Sequence, residues 1–206
     1  MAELARVGVM QAMSLTHEWN DELAQKVRDE EKKVDRYEDA LGTYLVKLSG
    51  INLTVADNRI LNTLLYTISD IERIADHAVS VGRAALEMEE KKIHFSQQAQ
   101  SELAVLERAV SDILSRTVDA YRGFDRNLAM KVEPQEQVVD ALVREVKSRH
   151  IRRLRDGLCS VEYGFVLEDL LTAFDRSADH CSTVAVEIFQ VAEGKLEAHE
   201  YLNCLK

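Results

Sequence analysis

A chain of 206 residues with 36 acidic and 26 basic side chains carries a formal net charge of −10, which argues against nucleic acid as a partner, whose phosphates call for a basic face. One proline and eight glycines leave too few turn residues for an all-β fold, and a chain rich in Ala, Leu, Glu, Lys, Arg and Val points to helices. Cys159, Cys181 and Cys204 have no close spacing, so neither a disulfide framework nor a Cys-based zinc site is expected, and reduced thiols suit a cytoplasmic setting.

Every apolar run is broken by charge short of the about 18 residues that a membrane span needs. Met1-Ala2-Glu3-Leu4-Ala5-Arg6 lacks a basic start followed by an apolar stretch, so no signal peptide is expected either. Six helices follow in chain order. The first covers residues 3–19, and Asn20 or Asp21 can cap the second. The second runs to about residue 48 along Val27, Val34, Leu41, Leu45 and Leu48, a 3.6-residue period, and Ser49-Gly50-Ile51-Asn52 breaks it. The third spans residues 55–88 along Ile60, Leu64, Ile68, Ile71, Ala75 and Val79, with the charged stretch 87–92 as a link. The fourth covers 97–124. The fifth covers 134–155, with Pro134 in a first-turn position where proline is tolerated. The sixth covers 161–191. No stretch alternates with period two.

The second half repeats the first. Leu23-Ala24-Gln25-Lys26-Val27 matches Leu128-Ala129-Met130-Lys131-Val132, and Val34-Asp35 matches Val139-Asp140, both at an offset of 105. Glu72-Arg73-Ile74-Ala75-Asp76-His77 matches Asp175-Arg176-Ser177-Ala178-Asp179-His180 at an offset of 103. A period this long describes a duplicated bundle, because solenoid repeats are shorter. The expectation is one all-α domain over 1–206, built as two tandem three-helix bundles, with repeats at 1–92 and 93–206.

The duplication carries acidic pairs. Glu31 and Asp35 stand four apart on the second helix, and Glu72 and Asp76 four apart on the third. Their counterparts are Glu136 with Asp140 and Asp175 with Asp179. Residues four apart share a helix face, so two pairs on neighbouring helices can present four carboxylates to one volume. The competing reading is a solvated acidic face, with Arg73 and Arg176 as salt-bridge partners. All-oxygen ligation suits hard cations such as Mg²⁺, Ca²⁺, Mn²⁺ or Fe³⁺. His77 and His180 each follow an acidic member, but neighbours on a helix point about 100° apart, which favours packing or capping over ligation. No Glu-x-x-His, His-Glu-x-x-His, phosphate loop or Gly-x-Ser-x-Gly is present, so no catalytic role is expected. The basic run Lys147, Arg149, His150, Arg152, Arg153 and Arg155 reads as a solvated helix end suited to the C-terminal dipole. Its alternative is a patch for an acidic partner or anionic headgroups.

With these motifs the chain resembles the PhoU family of phosphate-uptake regulators, two three-helix bundles with repeated (Glu/Asp)-x-x-x-Asp motifs. Glu3-Leu4-Ala5-Arg6, Glu31-x-x-x-Asp35 and Glu72-Arg73-Ile74-Ala75-Asp76-His77 carry the likeness. Lys91-Lys92-Ile93-His94-Phe95-Ser96 looks like the branch in which such a domain forms the cytosolic tail of bacterial sodium/phosphate cotransporter proteins. The resemblance implies non-catalytic regulation of phosphate transport or signalling. It implies partners in a transporter's membrane domain or in phosphate-signalling proteins, and a homodimer. By motif, Glu31, Asp35, Glu72, Asp76, Glu136, Asp140, Asp175 and Asp179 inherit a metal role, for iron or zinc in some relatives, while others are metal-free. Asp175 in place of a glutamate puts equal occupancy of the two sites in doubt. A carboxylate-bridged metalloenzyme and a metal-free helical adaptor are the alternative classes; missing histidine ligands speak against the first.

Overall fold

The computed structural model describes residues 1–193, so Cys204 lies outside the described residues. Seven helical segments occur among them: α1 (Ala2–His17), α2 (Asp21–Ser49), α3 (Val55–Lys91), α4 (Gln97–Gly123), α5 (Arg126–Ala129), α6 (Val132–Arg155) and α7 (Val161–Glu193). No strand occurs among the described residues. The six long helices are the expected six, and α5 is a single extra turn. Its separation from α6 has a local cause in Pro134, which has no N–H to offer the carbonyl of Met130, so the ladder fails where the two segments meet.

The link expected at 87–92 is helical as far as Lys91, because Lys92 takes a left-handed conformation (φ 51°) only there. The Ile93 N–H then bonds back to the Met88 carbonyl at 2.9 Å, and the Ile93 side chain turns inward, closing the helix with an apolar contact. At the other end of α3, Thr54 and Asp57 form a reciprocal capping box.

α1, α2 and α3 form one three-helix bundle; α4, α6 and α7 form the other. The repeats share a cap as well as a pattern. The Asn20 side chain accepts from the Leu23 N–H, and Asp125, 105 residues on, accepts from Leu128. α3 and α7 run antiparallel against each other between the bundles: His180 meets Asp70, while Glu187 bonds Thr63 further back along α3. One continuous core, from Val9 and Val27 through Ile113 to Phe174 and Ile188, joins the two bundles. The far end of the α2–α3 hairpin has a separate small core of Leu45, Leu61 and Ile68.

No helix among the described residues is long and apolar enough to cross a membrane. Cys159 and Cys181 are free thiols.

Candidate metal centre

Val27 and Val34 hold α2 against the core, and Ile71 and Ala75 do the same for α3. Those buried stripes fix the rotation of both helices and turn the flanking carboxylates toward the groove between them. Glu31 and Asp35 of α2 and Asp76 of α3 converge there, with one oxygen of each within 4.8 Å of one oxygen of both others. It is the one such cluster of three His, Cys, Asp or Glu side chains among the described residues.

The electrostatics follow from the crowding. Burial pushes the Glu31 carboxyl up, and the charges of Asp35 and Asp76 push it further. Burial and then Asp35 raise Asp76, against the opposing hydrogen bond from Glu72 and the charge of Arg73. Glu72, one turn back, is driven to about 7 by burial first and then by Asp76, Glu38 and Asp35. Glu38 is a fifth carboxylate that the paired motif did not include. It lies seven residues beyond Glu31 and three beyond Asp35, on the same face of α2, and that spacing was the available signal.

The second copy differs. Burial raises Glu136 to about 7, helped by Glu133, Asp179, Asp140 and Asp175, so the four motif residues and Glu133 share one field. Burial, Asp179 and Asp140 raise Asp175, while Arg176 and Arg144 oppose them. Here the carboxylates carry their own counter-charges. Arg144 donates to Asp140 at 2.5 Å and Arg176 to Asp179 at 3.3 Å, while the Ser182 hydroxyl donates to Glu133. Arg176 thus forms the salt bridge that the competing reading foresaw. In the first copy, Asp39 replaces the arginine found at 144, because 144 less 105 is 39.

The donor set of Glu31, Asp35 and Asp76 fits a hard cation. Ligand oxygens lie about 2.0–2.6 Å from Mg²⁺ or Ca²⁺, so two of them on opposite sides are about 4–5 Å apart, and the three oxygens here fall within 4.8 Å of one another. No nitrogen or sulfur donor belongs to the trio.

His77 and His180 stand apart from the carboxylates. Their rings stack across the α3–α7 seam, 5.7 Å between centroids and 23° between planes, and the nearest Asp70 and His180 atoms are 2.9 Å apart. Burial holds His77 down at about 4, with help from His180, Arg176 and Arg73. These are packing histidines, as their position on the helix led us to expect.

The basic run of α6 meets the expectation of a solvated end only in part: Lys147, Arg149, Arg152 and Arg155 are exposed. Arg153 and His150 are buried, and Arg153 donates to both carboxylate oxygens of Glu102 on α4, at 3.0 and 2.9 Å. Arg149 reaches Glu145 at 2.7 Å, and Lys147 reaches Glu168 at 2.5 Å. The physical reason is tertiary: α4 lays an acidic residue over this stretch, which no spacing within α6 announces.

A model of the PhoU domain family matches residues 1–85 and 103–188. A phosphate-specific transport system accessory protein PhoU homolog 1 from Thermotoga maritima is 24% identical over 180 residues, covering 85% of this chain and 75% of the relative. The accessory protein PhoU of Edwardsiella tarda is 27% identical over 205 residues, covering 95% of this chain and 79% of the relative. The crystal structure of PhoU from Pseudomonas aeruginosa superposes with a TM-score of 0.87 at 20% identity, covering 94% of this chain and 92% of that one.

Proposed function

The chain belongs to the PhoU domain family, and on that premise we propose that it is a non-catalytic regulator of phosphate uptake whose α2–α3 groove binds a hard cation. Relatives named as accessory proteins of a phosphate-specific transport system support the regulatory role. The convergence of Glu31, Asp35 and Asp76 within 4.8 Å carries the cation reading. Glu72 and Glu38 are the reserve carboxylates of the same site. When bound, a divalent or trivalent ion supplies positive charge that cancels the mutual repulsion and ties α2 to α3. The Asp140 and Asp179 side of the molecule already holds Arg144 and Arg176, which supports the first repeat as the proposed binding site. Iron, manganese, magnesium and calcium meet an all-oxygen set, whereas zinc favours nitrogen and sulfur donors.

The proposed partner is the membrane part of a phosphate transporter, with this chain on the cytoplasmic side. The test is phosphate uptake in cells lacking the chain and complemented with wild type or Asp76→Asn at equal protein levels. The reading expects wild type to restore the response of uptake to external phosphate, and Asp76→Asn to leave it unrestored. Uptake that ignores removal of the whole chain would refute the regulatory role. Full restoration by Asp76→Asn would refute the cation's part in it.

A further inference from the structure

The α3–α7 seam is built differently on its two sides. On the His180 side two carboxylates occupy it: Asp70 meets the His180 ring at 2.9 Å, and Glu187 bonds Thr63. At the offset of 103 that relates α3 to α7, Asp70 corresponds to Ala173 and Glu187 to Ala84. Both alanines line a pocket of about 260 Å³ on the His77 side. Two methyl groups thus stand where the other side has two acidic side chains, and the space is open. It is smaller than the roughly 300–1,000 Å³ of sites for drug-sized molecules, so it suits a small ligand.

The chemistry of the pocket differs as well. Arg83 lines it, at the place where the other side has Val186. The Arg83 guanidinium makes no ion pair and no hydrogen bond among the described residues; Glu87, one turn on, is held instead by Lys91 at 2.7 Å. His77 and Thr172 line the same pocket, and neither hydrogen-bonds a described residue. Ser80 is there too, but its hydroxyl donates to the Asp76 carbonyl at 3.2 Å. The positive charges of Arg176 and Arg73 also reach His77. Unmet donors gathered around a guanidinium suit an oxyanion, which a guanidinium matches best among side chains. Asp169 also lines the pocket and pairs with no cation among the described residues. One acceptor among these donors selects an oxyanion that still carries a proton.

We propose that this pocket binds inorganic phosphate in a protonated form, with Arg83, His77 and Thr172 donating to its oxygens and a phosphate hydroxyl donating to Asp169. Phosphate keeps a proton near neutral pH and meets both demands. Sulfate keeps none, so it sets its oxygens against the Asp169 carboxylate with no hydrogen between them, and a site built this way rejects it. Phosphate binding here requires neither a cation in the α2–α3 groove nor control of uptake, so it stands or falls apart from both.

The test is isothermal titration calorimetry of the whole chain with sodium phosphate and, separately, sodium sulfate. A chelator in the buffer, held near neutral pH, keeps any cation in the α2–α3 groove from recruiting the anion. The variants are Arg83→Gln and Asp169→Asn; both replaced side chains are exposed and unpaired among the described residues, and thermal melts verify folding. The expected result is saturable phosphate binding tighter than about 1 mM. Loss of the charged donor in Arg83→Gln should weaken it about tenfold or more, and wild type should bind sulfate weaker by a similar factor. Asp169→Asn, which offers an N–H in place of a carboxylate oxygen, should bring sulfate to within about threefold of phosphate. Thr172→Val, at an exposed residue, should weaken phosphate several-fold and carries the test should Arg83→Gln fail to fold. No saturable phosphate binding would overturn the proposal. So would unchanged affinity in Arg83→Gln, or sulfate matching phosphate on wild type, which would mark an unspecific anion site only. Sulfate still rejected by Asp169→Asn would overturn the assignment to a protonated oxyanion.

Discussion

His77 and His180, equivalent residues of the two repeats, stack on each other where α3 crosses α7, with ring centroids 5.7 Å apart. A residue that meets its own counterpart lies on the approximate twofold axis of the duplication. The surroundings break that symmetry: Asp70 holds His180, whereas the position matching Asp70 for His77 is Ala173. Asp70→Ala should leave a half-buried imidazole nitrogen without its acceptor, costing about 1–3 kcal/mol. At about 2–4 °C per kcal/mol for a domain of this size, calorimetry should record a Tm several degrees lower. An unchanged Tm would show that the pair contributes nothing net.

His77 also sets a pH dependence. Its folded pKa of about 4 lies below the usual 6.5, so the folded state resists a proton that the unfolded chain accepts. The stability this contributes is present above 6.5 and is lost as pH falls toward 4. His77→Gln should flatten that part of a Tm-against-pH curve; a variant as acid-sensitive as wild type would contradict it.

Glu72 acts with the opposite sign. Its folded pKa of about 7 lies above the usual 4.5, so the metal-free protein loses stability as pH rises from 4.5 and levels off above 7. Glu72→Gln should therefore raise the Tm in chelator at pH 8 and leave it nearly unchanged near pH 4.5. A gain of equal size at both values would mean that charge is not the cause.

Gly164 on α7 lies against His150 so closely that a Cβ there would stand 2.9 Å from Nε2 of the buried ring. Gly164→Ala should cost about 1–3 kcal/mol through overpacking, read by denaturant melts. The same substitution in a His150→Ala background should cost much less, because the obstructing ring is gone. Additive effects would show that the contact is not the reason.

The six long helices were legible because most of each periodic stripe does end up buried, as Val27, Val34 and Leu45 do, although Leu41 and Ile60 stay exposed, and those stripes need no tertiary information. The repeat was legible from its offsets alone. The inequality of the two acidic sites was legible only in part, through Asp175 standing where the first copy has Glu72. The rest depends on Arg144 pairing with Asp140 one turn back and on how far the carboxylates of α2 and α3 close together, which the motif spacing does not state. Burial of Arg153 and His150 was illegible for another reason: their partners Glu102 and Gly164 lie on other helices. Glu38 was readable, as the next residue on the Glu31–Asp35 face, although it lies outside the four-residue pairs.

The most direct measurement is the metal content of protein purified without chelators, as wild type, Asp76→Asn and Asp179→Asn, by mass spectrometry of the elements. The prediction is a stoichiometric hard cation in wild type and in Asp179→Asn, lost from Asp76→Asn, with a Tm that falls in step because an ion that binds only the folded state stabilises it. A metal-free wild type whose Tm ignores added Fe³⁺, Mn²⁺, Mg²⁺ and Ca²⁺, or equal metal in Asp76→Asn, would contradict the cation site.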